Sequence, residues 1–235
     1  MEFLGDVWAW FGEGDQWRGN TGIPNRLWEH VSMSLWAIGW AAVVALPVGL
    51  WLGHARRGGV LAINVSNVGR AIPSFAILVL AVQATEIGTR PAIIALVALA
   101  IPPMLTNAYV AISEVPADIR EAARGMGMSG LQQLRRVELP TGVPLVMAGI
   151  RTAAVQVVAT ATLAAVVGSG GLGRYIIDGQ AQRDNVELFA GGFMVALLAI
   201  ATELGLGAAQ RALVPRGLRP RLEEEMLAPR ERTSP

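Results

Sequence analysis

The sequence predicts an all-α bundle of helices that crosses a lipid bilayer several times, and three observations predict it. Hydrophobic residues make up 53% of the 235-residue chain and charged residues only 16%, with a mean hydropathy of +0.46. Soluble domains carry about 25% charged residues. Five segments, about 33–53, 61–83, 91–112, 143–167 and 188–210, are apolar over the roughly 20 residues that a helix needs to cross a core of about 30 Å. None of them sustains the polar–apolar alternation of a membrane β-barrel strand.

Residues 1–26 come first and stay outside the spans. They hold Phe3, Trp8, Trp10, Phe11 and Trp17 among glycines and acids, with Glu2 and Asp6 early and no early positive charge. That is unlike a cleaved signal peptide. Aromatic rings with a polar edge favour the headgroup region, so a short interfacial helix on the outer surface is expected. An aromatic cage for a quaternary ammonium is the alternative.

Residues 27–207 then hold the five spans as one domain. Pro47, Pro73, Pro102, Pro103 and Pro144 lie inside or at the ends of spans. Each removes a backbone donor and tends to kink its helix. Such breaks survive in lipid where protein or water satisfies the freed carbonyls. Small residues, as in Ala159-Thr160-Ala161-Thr162, let helices approach closely. Residues 208–235 form a charged, proline-containing tail that is expected to be poorly ordered.

Arginine counts orient the bundle. With the N-terminus outside, the cytoplasmic parts hold about twelve arginines: Arg56 and Arg57, four in the 113–142 loop and six in the tail. The outer parts hold about five, namely Arg18, Arg26, Arg90, Arg174 and Arg183. An odd number of spans, with the N-terminus out and the tail cytoplasmic, satisfies this bias. The 113–142 loop then faces the cytoplasm.

Residue chemistry excludes several function classes. The chain has no cysteine, so it has neither disulfides nor thiolate metal sites. His30 and His54 are too few and too isolated for a metal centre. No nucleophile–base pair suggests a membrane enzyme. All nineteen basic residues are arginine. A P-loop needs a lysine to reach nucleotide phosphates, so this chain cannot be the ATPase of any machine it serves.

Glu121 to Pro140, EAARGMGMSGLQQLRRVELP, is a charged island between apolar segments. Pro116 can open a helix whose first turn has no need of its N–H. A short helix over Ala117 to Arg124 is expected, with Gly125 or Gly127 as its left-handed stop. Ser129 and Gln132 have capping-box spacing for a second helix to about Glu138, which Pro140 would end. Ala122 and Ala123 leave a low surface for another protein. Glu121 and Arg124, at i and i+3, can pair with each other or with a partner. On physical grounds alone, a solvated loop that merely sets topology explains the island equally well. Nucleic-acid binding is disfavoured, because the hairpin is tethered at both ends and carries mixed charge.

The spacing Glu121-Ala122-Ala123, three residues, Gly127, nine residues, Val137, one residue, Leu139-Pro140 resembles the EAA loop of ABC-importer permeases. Val137 stands where that pattern usually has isoleucine. The resemblance implies the type I ABC-importer transmembrane fold. It also implies that Glu121, Ala122, Ala123, Gly127, Leu139 and Pro140 couple the chain to an ATPase. The stretch Glu138 to Ile176, and AIPSFAILVL at Ala71 to Leu80, resemble osmoprotectant importers for glycine betaine, carnitine or choline. The likeness covers about residues 27–207. Methionine-type permeases share the glycine turn, while AGIRTAAV (Ala148 to Val155) favours the osmoprotectant branch. The resemblance implies two ATPase subunits that bind ATP and magnesium, a second permease, identical or a sister, and an extracytoplasmic substrate-binding protein, all in a bacterial inner membrane. No cofactor is expected in this chain. A methionine-type permease, or a channel or carrier without an ATPase, is the alternative.

Other polar residues in the spans are candidates for a substrate pathway. Arg70 and Glu203 lie within predicted spans, where an ionised side chain costs at least about 2.5–3.5 kcal/mol. They are expected to face the bundle interior, or else to lie shallow (Arg70, with its span nearer 71–89) or pair structurally (Glu203). Gln156 and Thr160 join them as pathway candidates, with Asn64, Asn67, Thr106, Asn107 and Thr162 as further polar positions. Arg151 is expected to anchor the cytoplasmic end of its span. GSGGLG (Gly168 to Gly173) fits the dinucleotide pattern GxGxxG, but it follows an apolar span rather than a strand. An exit turn is expected instead, with Gly170, Gly171 and Gly173 serving a gate, a binding-protein contact or close packing.

Overall fold

Lipid offers no hydrogen-bond partner to a backbone N–H or C=O, so each crossing segment closes its own bonds as a helix. The computed structural model describes residues 2–213, and every regular element among them is helical. Four helices are long and apolar enough to cross a bilayer: α2 (Ile23–Ala55), α5 (Thr89–Ser113), the rod Gly130–Val167 and α10 (Asn185–Leu213). The tail was expected from residue 208, but α10 includes positions 208–213, and Leu213 is the last described residue. The tail's remaining positions, 214–235, lie outside the described residues.

The expected second span is not one straight helix. It is α3 (Gly59–Ala71) and α4 (Ser74–Ala84), which meet at a bend of 87°. Pro73 is the cause. It forces Ile72 into extended backbone, φ −76° and ψ 123°, and cannot itself donate to the preceding turn. Neither the 61–83 span nor the shallower 71–89 alternative describes this shape.

The core is built from small residues. Ala37, Ala41, Ala45, Gly49 and Gly53 recur every four positions along α2 and are all buried. They seat that helix on α5. A Cβ on Gly49 would stand 2.7 Å from Ala108 Cβ, and one on Gly53 would stand 2.7 Å from the Tyr109 carbonyl oxygen. On the other side of α5, a Cβ on Gly149 would come within 2.6 Å of Asn107 Cβ. In lipid, burying apolar surface gives little drive, so this close approach of backbones is what holds the helices together. The opposite face of α2 carries Trp28, Trp36, Trp40 and Trp51, all exposed, as suits a lipid-facing surface.

The N-terminal helix α1 (Glu2–Gly12) has 11 residues. At 1.5 Å per residue it is about 16 Å long, half a bilayer core. It lies against α10 through Phe3–Phe189 (5.4 Å) and Phe11–Phe193 (6.4 Å). Trp10 is buried edge-on to Tyr175 at 5.5 Å. These rings pack one end of the bundle, while Trp8 and Trp17 remain exposed.

Candidate coupling site

The hairpin that follows α5 forms from local signals. Pro116 caps α6 (Ala117–Gly125) with extended ψ, 141°. Gly127, at φ +76°, is the left-handed stop. Its N–H donates to the Arg124 carbonyl at 2.9 Å and the Met128 N–H to the Ala123 carbonyl at 3.2 Å, the paired bonds of a Schellman motif. The Ser129–Gln132 capping box is present in both directions, at 2.8 and 3.4 Å. It opens α7 (Gly130–Gln133).

Pro140, expected to end that second helix, lies inside it. α7 runs through a π-helical turn, Leu134–Glu138, into α8 (Leu139–Thr160) and a 3₁₀ stretch, Ala161–Val167. The Leu139 N–H bonds to the Leu134 carbonyl, five residues back. A proline ring clashes with the carbonyl four residues earlier in a tight helix. The wider π turn just before Pro140 relieves that clash.

Beneath the hairpin lies a network of side chains around a fully buried carboxylate. Glu138 is 0% exposed. Its Oε1 pairs with Arg120 Nε at 2.9 Å and accepts from Gln133 Nε2 at 3.2 Å. Its Oε2 accepts from His54 Nδ1 at 2.6 Å. Arg120 Nη2 also donates to the His54 carbonyl at 3.1 Å. Burial pulls the Arg120 pKa below its ordinary value, and the charge on Glu138 opposes that pull. A buried ion pair in this setting needs such additional hydrogen bonds to offset desolvation. Gly130 makes room: a Cβ there would stand 3.2 Å from His54 Nε2. The last turn of α2, α6 and the π turn are thereby locked together.

That lock determines which hairpin residues face outward. Glu121, Ala122 and Gly127 are exposed, and Leu139 and Pro140 are half-buried. Ala123 does not share the outward surface expected for it. It is 1% exposed, on the same inward face as Arg120 three residues earlier. Glu121 and Arg124 make no ion pair among the described residues. Met126, 69% exposed, adds an apolar knob beside them. Arg120, His54, Gln133 and Glu138 escaped the sequence reading. The only signal for them was a charged residue in the hairpin at a position that proves buried.

The pathway candidates do not converge. Arg70 is exposed at the end of α3 and donates to Asn67 Oδ1 at 2.7 Å. Glu203 pairs with Arg151 at 3.2 Å across α10 and α8, and Arg151 also donates to Gln210 at 3.1 Å. Gln156 is half-buried on α8. Thr160 borders a void of about 10 Å³ with Ser74 and Leu78.

At the end of α2 away from the hairpin, the glycine turn docks on that helix. Gly168 (φ +76°) and Gly171 (φ +94°) adopt backbone that favours glycine. The Gly171 N–H donates to Glu29 Oε2 at 2.8 Å. Glu29 also pairs with Arg26 at 3.0 Å. A Cβ on Gly170 would be driven into the Glu29 carboxylate, and one on Gly173 into the Thr162 carbonyl. Gly170 and Gly173 thus sit in close packing, and Gly171 in backbone that favours glycine. The turn leads into α9 (Gly173–Gln182), whose Tyr175 hydroxyl donates to the Thr21 carbonyl at 2.7 Å.

Comparison with known proteins agrees with this architecture. A family model described as the binding-protein-dependent transport system inner membrane component matches residues 45–218. The chain is 37% identical to the choline transport system permease protein OpuBB of Bacillus subtilis, over 85% of this chain and 91% of that one. It is 36% identical to the glycine betaine/carnitine/choline transport system permease protein OpuCB of the same organism, over 81% and 88%. Against the osmoprotectant import permease protein OsmW of Salmonella typhimurium the identity is 32%, over 84% and 94%. A structure of the MetNI methionine ABC transporter in an inward-facing conformation superposes with a TM-score of 0.71 at 25% identity, over 80% of this chain and 94% of that one. With its apolar helices, polar hairpin and docked glycine turn, the chain belongs to the family of inner-membrane components of binding-protein-dependent transport systems.

Proposed function

We propose that the chain is the permease subunit of an ATP-driven importer for quaternary-ammonium osmoprotectants such as glycine betaine, carnitine or choline. The observation that carries the coupling part is the hairpin. Glu121, Ala122 and Met126 are presented outward on a helix whose inner face is locked by Arg120 and Glu138. A rigid, low surface with an unpaired carboxylate suits docking to another protein. The relatives that transport choline, carnitine and glycine betaine support the solute class.

In this reading the hairpin docks on an ATPase subunit that binds ATP and magnesium. A second permease, identical or a sister, completes the pathway, and a binding protein delivers solute at the outer face. The N-terminus lies outside and the hairpin and tail lie in the cytoplasm, as the arginine bias requires. Closure of the ATPases on ATP draws the two hairpins together, and the spans reorient to accept solute. Gly170, Gly171 and Gly173 shape the outer exit turn. This chain performs no covalent chemistry.

A methionine-type importer is the second reading, favoured by the superposition on the methionine transporter. Fluorescence titration of the cognate binding protein with betaine, carnitine, choline, proline and methionine separates the two. Saturable response to a quaternary ammonium is the expected result, and response to methionine alone would replace the solute assignment. The coupling reading has its own test. Glu121→Lys should strip the ATPase from the purified complex and abolish ATP-dependent uptake, and normal uptake in that variant would refute it.

A further inference from the structure

Where the glycine turn meets α2 and the start of α5, the three leave a cavity of about 360 Å³ between them. Small-molecule sites span about 300–1,000 Å³. Glu29, Met33 and Trp36 of α2, Thr89 and Ile93 of α5, and Ser169 of the turn line it. Helical spacing gathers them. Positions 29, 33 and 36 share one face of α2, and 89 and 93 share one face of α5.

The walls differ in chemistry. Glu29 is half-buried, and three donors already engage its carboxylate: Asn25 Nδ2 at 3.1 Å, the Gly171 N–H at 2.8 Å and Arg26 at 3.0 Å. Trp36, two turns along the same face, is 63% exposed and lends the cavity an aromatic wall. Seven residues separate the two, about 10 Å along the helix axis. That leaves room for a cation held within about 6 Å of the ring centroid. Met33 and Ile93 add apolar surface, and the hydroxyls of Thr89 and Ser169, 3.1 Å apart, bond to each other.

This combination favours one class of ligand. A ligand that relies on N–H donors meets a carboxylate that three donors already occupy. A quaternary ammonium has no N–H to place. It needs an aromatic face, apolar contact for its methyl groups and a nearby negative charge. Trp36, Met33 with Ile93, and Glu29 supply these in turn, and tryptophan is the strongest of the aromatic rings in this role. Arg26 offsets part of the Glu29 charge, so the ring carries more of the affinity than the carboxylate.

We propose that this cavity binds the quaternary-ammonium head of the solute, so that the chain itself selects cargo through Trp36 and Glu29. The inference rests on the reading of the chain as an importer of such solutes. It adds a second point of selection, beyond the binding protein.

The test is equilibrium binding of labelled choline to the permease–ATPase complex, without binding protein, in nanodiscs of phosphatidylethanolamine and phosphatidylglycerol. Saturable binding is expected, displaced by tetramethylammonium and not by the uncharged carbon isostere of choline. Trp36→Leu, which keeps an apolar side chain but no ring, should weaken binding about fivefold or more. Trp36→Phe should lie between, and Glu29→Gln, which keeps an acceptor for the Gly171 N–H, should lose less than Trp36→Leu. Trp40→Leu, outside the cavity, should bind as the unsubstituted complex does. A choline lipid headgroup carries the same ammonium, and phosphatidylcholine added to the nanodisc should leave binding unchanged. Displacement by that lipid, equal displacement by the uncharged isostere, full affinity in Trp36→Leu, or no saturable binding at all would overturn the site. ATP-dependent uptake by the complete system is measured alongside. Uptake of choline without binding to the permease would sink the cavity alone, and choline binding without any uptake would sink the transport reading alone.

Discussion

Arg120 and Glu138 pair at 2.9 Å with the carboxylate wholly buried, joining α6 to the π turn that precedes α8. The pair is the floor on which the hairpin rests. Cutting it from one side leaves an unpaired charge. Glu138→Ala should therefore destabilise the protein by about 3–5 kcal/mol, whereas Arg120→Met with Glu138→Leu should cost much less. Unfolding of the reconstituted protein by denaturing detergent checks this. Equal losses in the single and double variants would contradict it.

The α2–α5 contact leads to a second prediction. A Cβ on Gly49 would meet the Leu105 carbonyl oxygen at 2.8 Å and Ala108 Cβ at 2.7 Å, so backbone must shift. Gly49→Ala should cost about 1–3 kcal/mol by overpacking. Gly205, with nothing within 4 Å of its Cβ position, should tolerate alanine. The same unfolding measurement on both variants separates a packing effect from a general intolerance of substitution.

Arg151 and Glu203 bond at 3.2 Å across α8 and α10, which both belong to helices long and apolar enough to cross a membrane. Either Arg151→Glu or Glu203→Arg should lower the amount of folded protein in the membrane. The double exchange should restore much of it. Quantifying membrane-inserted protein for the four chains is sufficient. Failure of the double exchange to rescue would show that the two residues act separately.

Tyr175 sets an alkaline limit on the end of the bundle that holds α1 and the glycine turn. Burial, more than the charges nearby, pushes its hydroxyl up to about 12 from an ordinary 10. The folded state thus holds the proton more tightly than the unfolded one. The phenol contributes no pH dependence below the ordinary value, and stability falls as pH rises from about 10 to 12. Tyr175→Phe should lose the hydrogen bond to Thr21, at a cost of about 0.5–1.5 kcal/mol, and show a flatter profile in that window. Unfolding midpoints measured between pH 8 and 12 test both statements.

What the sequence by itself determined is local. Four of the five spans were legible because hydropathy over some twenty residues needs no knowledge of neighbours. The hairpin's first helix, its stop at Gly127 and the Ser129 capping box were legible because caps are set by residues three or four apart. Tertiary structure alone decided everything that depends on distant partners. His54 meets Glu138 across 84 positions and Glu29 meets the Gly171 N–H across 142, and no periodicity encodes such meetings. Pro73 announced a break, but the 87° angle between α3 and α4 was not legible in it. Pro140 read as a stop and became mid-helix, because one π turn made room for its ring. Ala123 read as surface and became floor, because the buried charge beside it fixed which face of α6 turns inward.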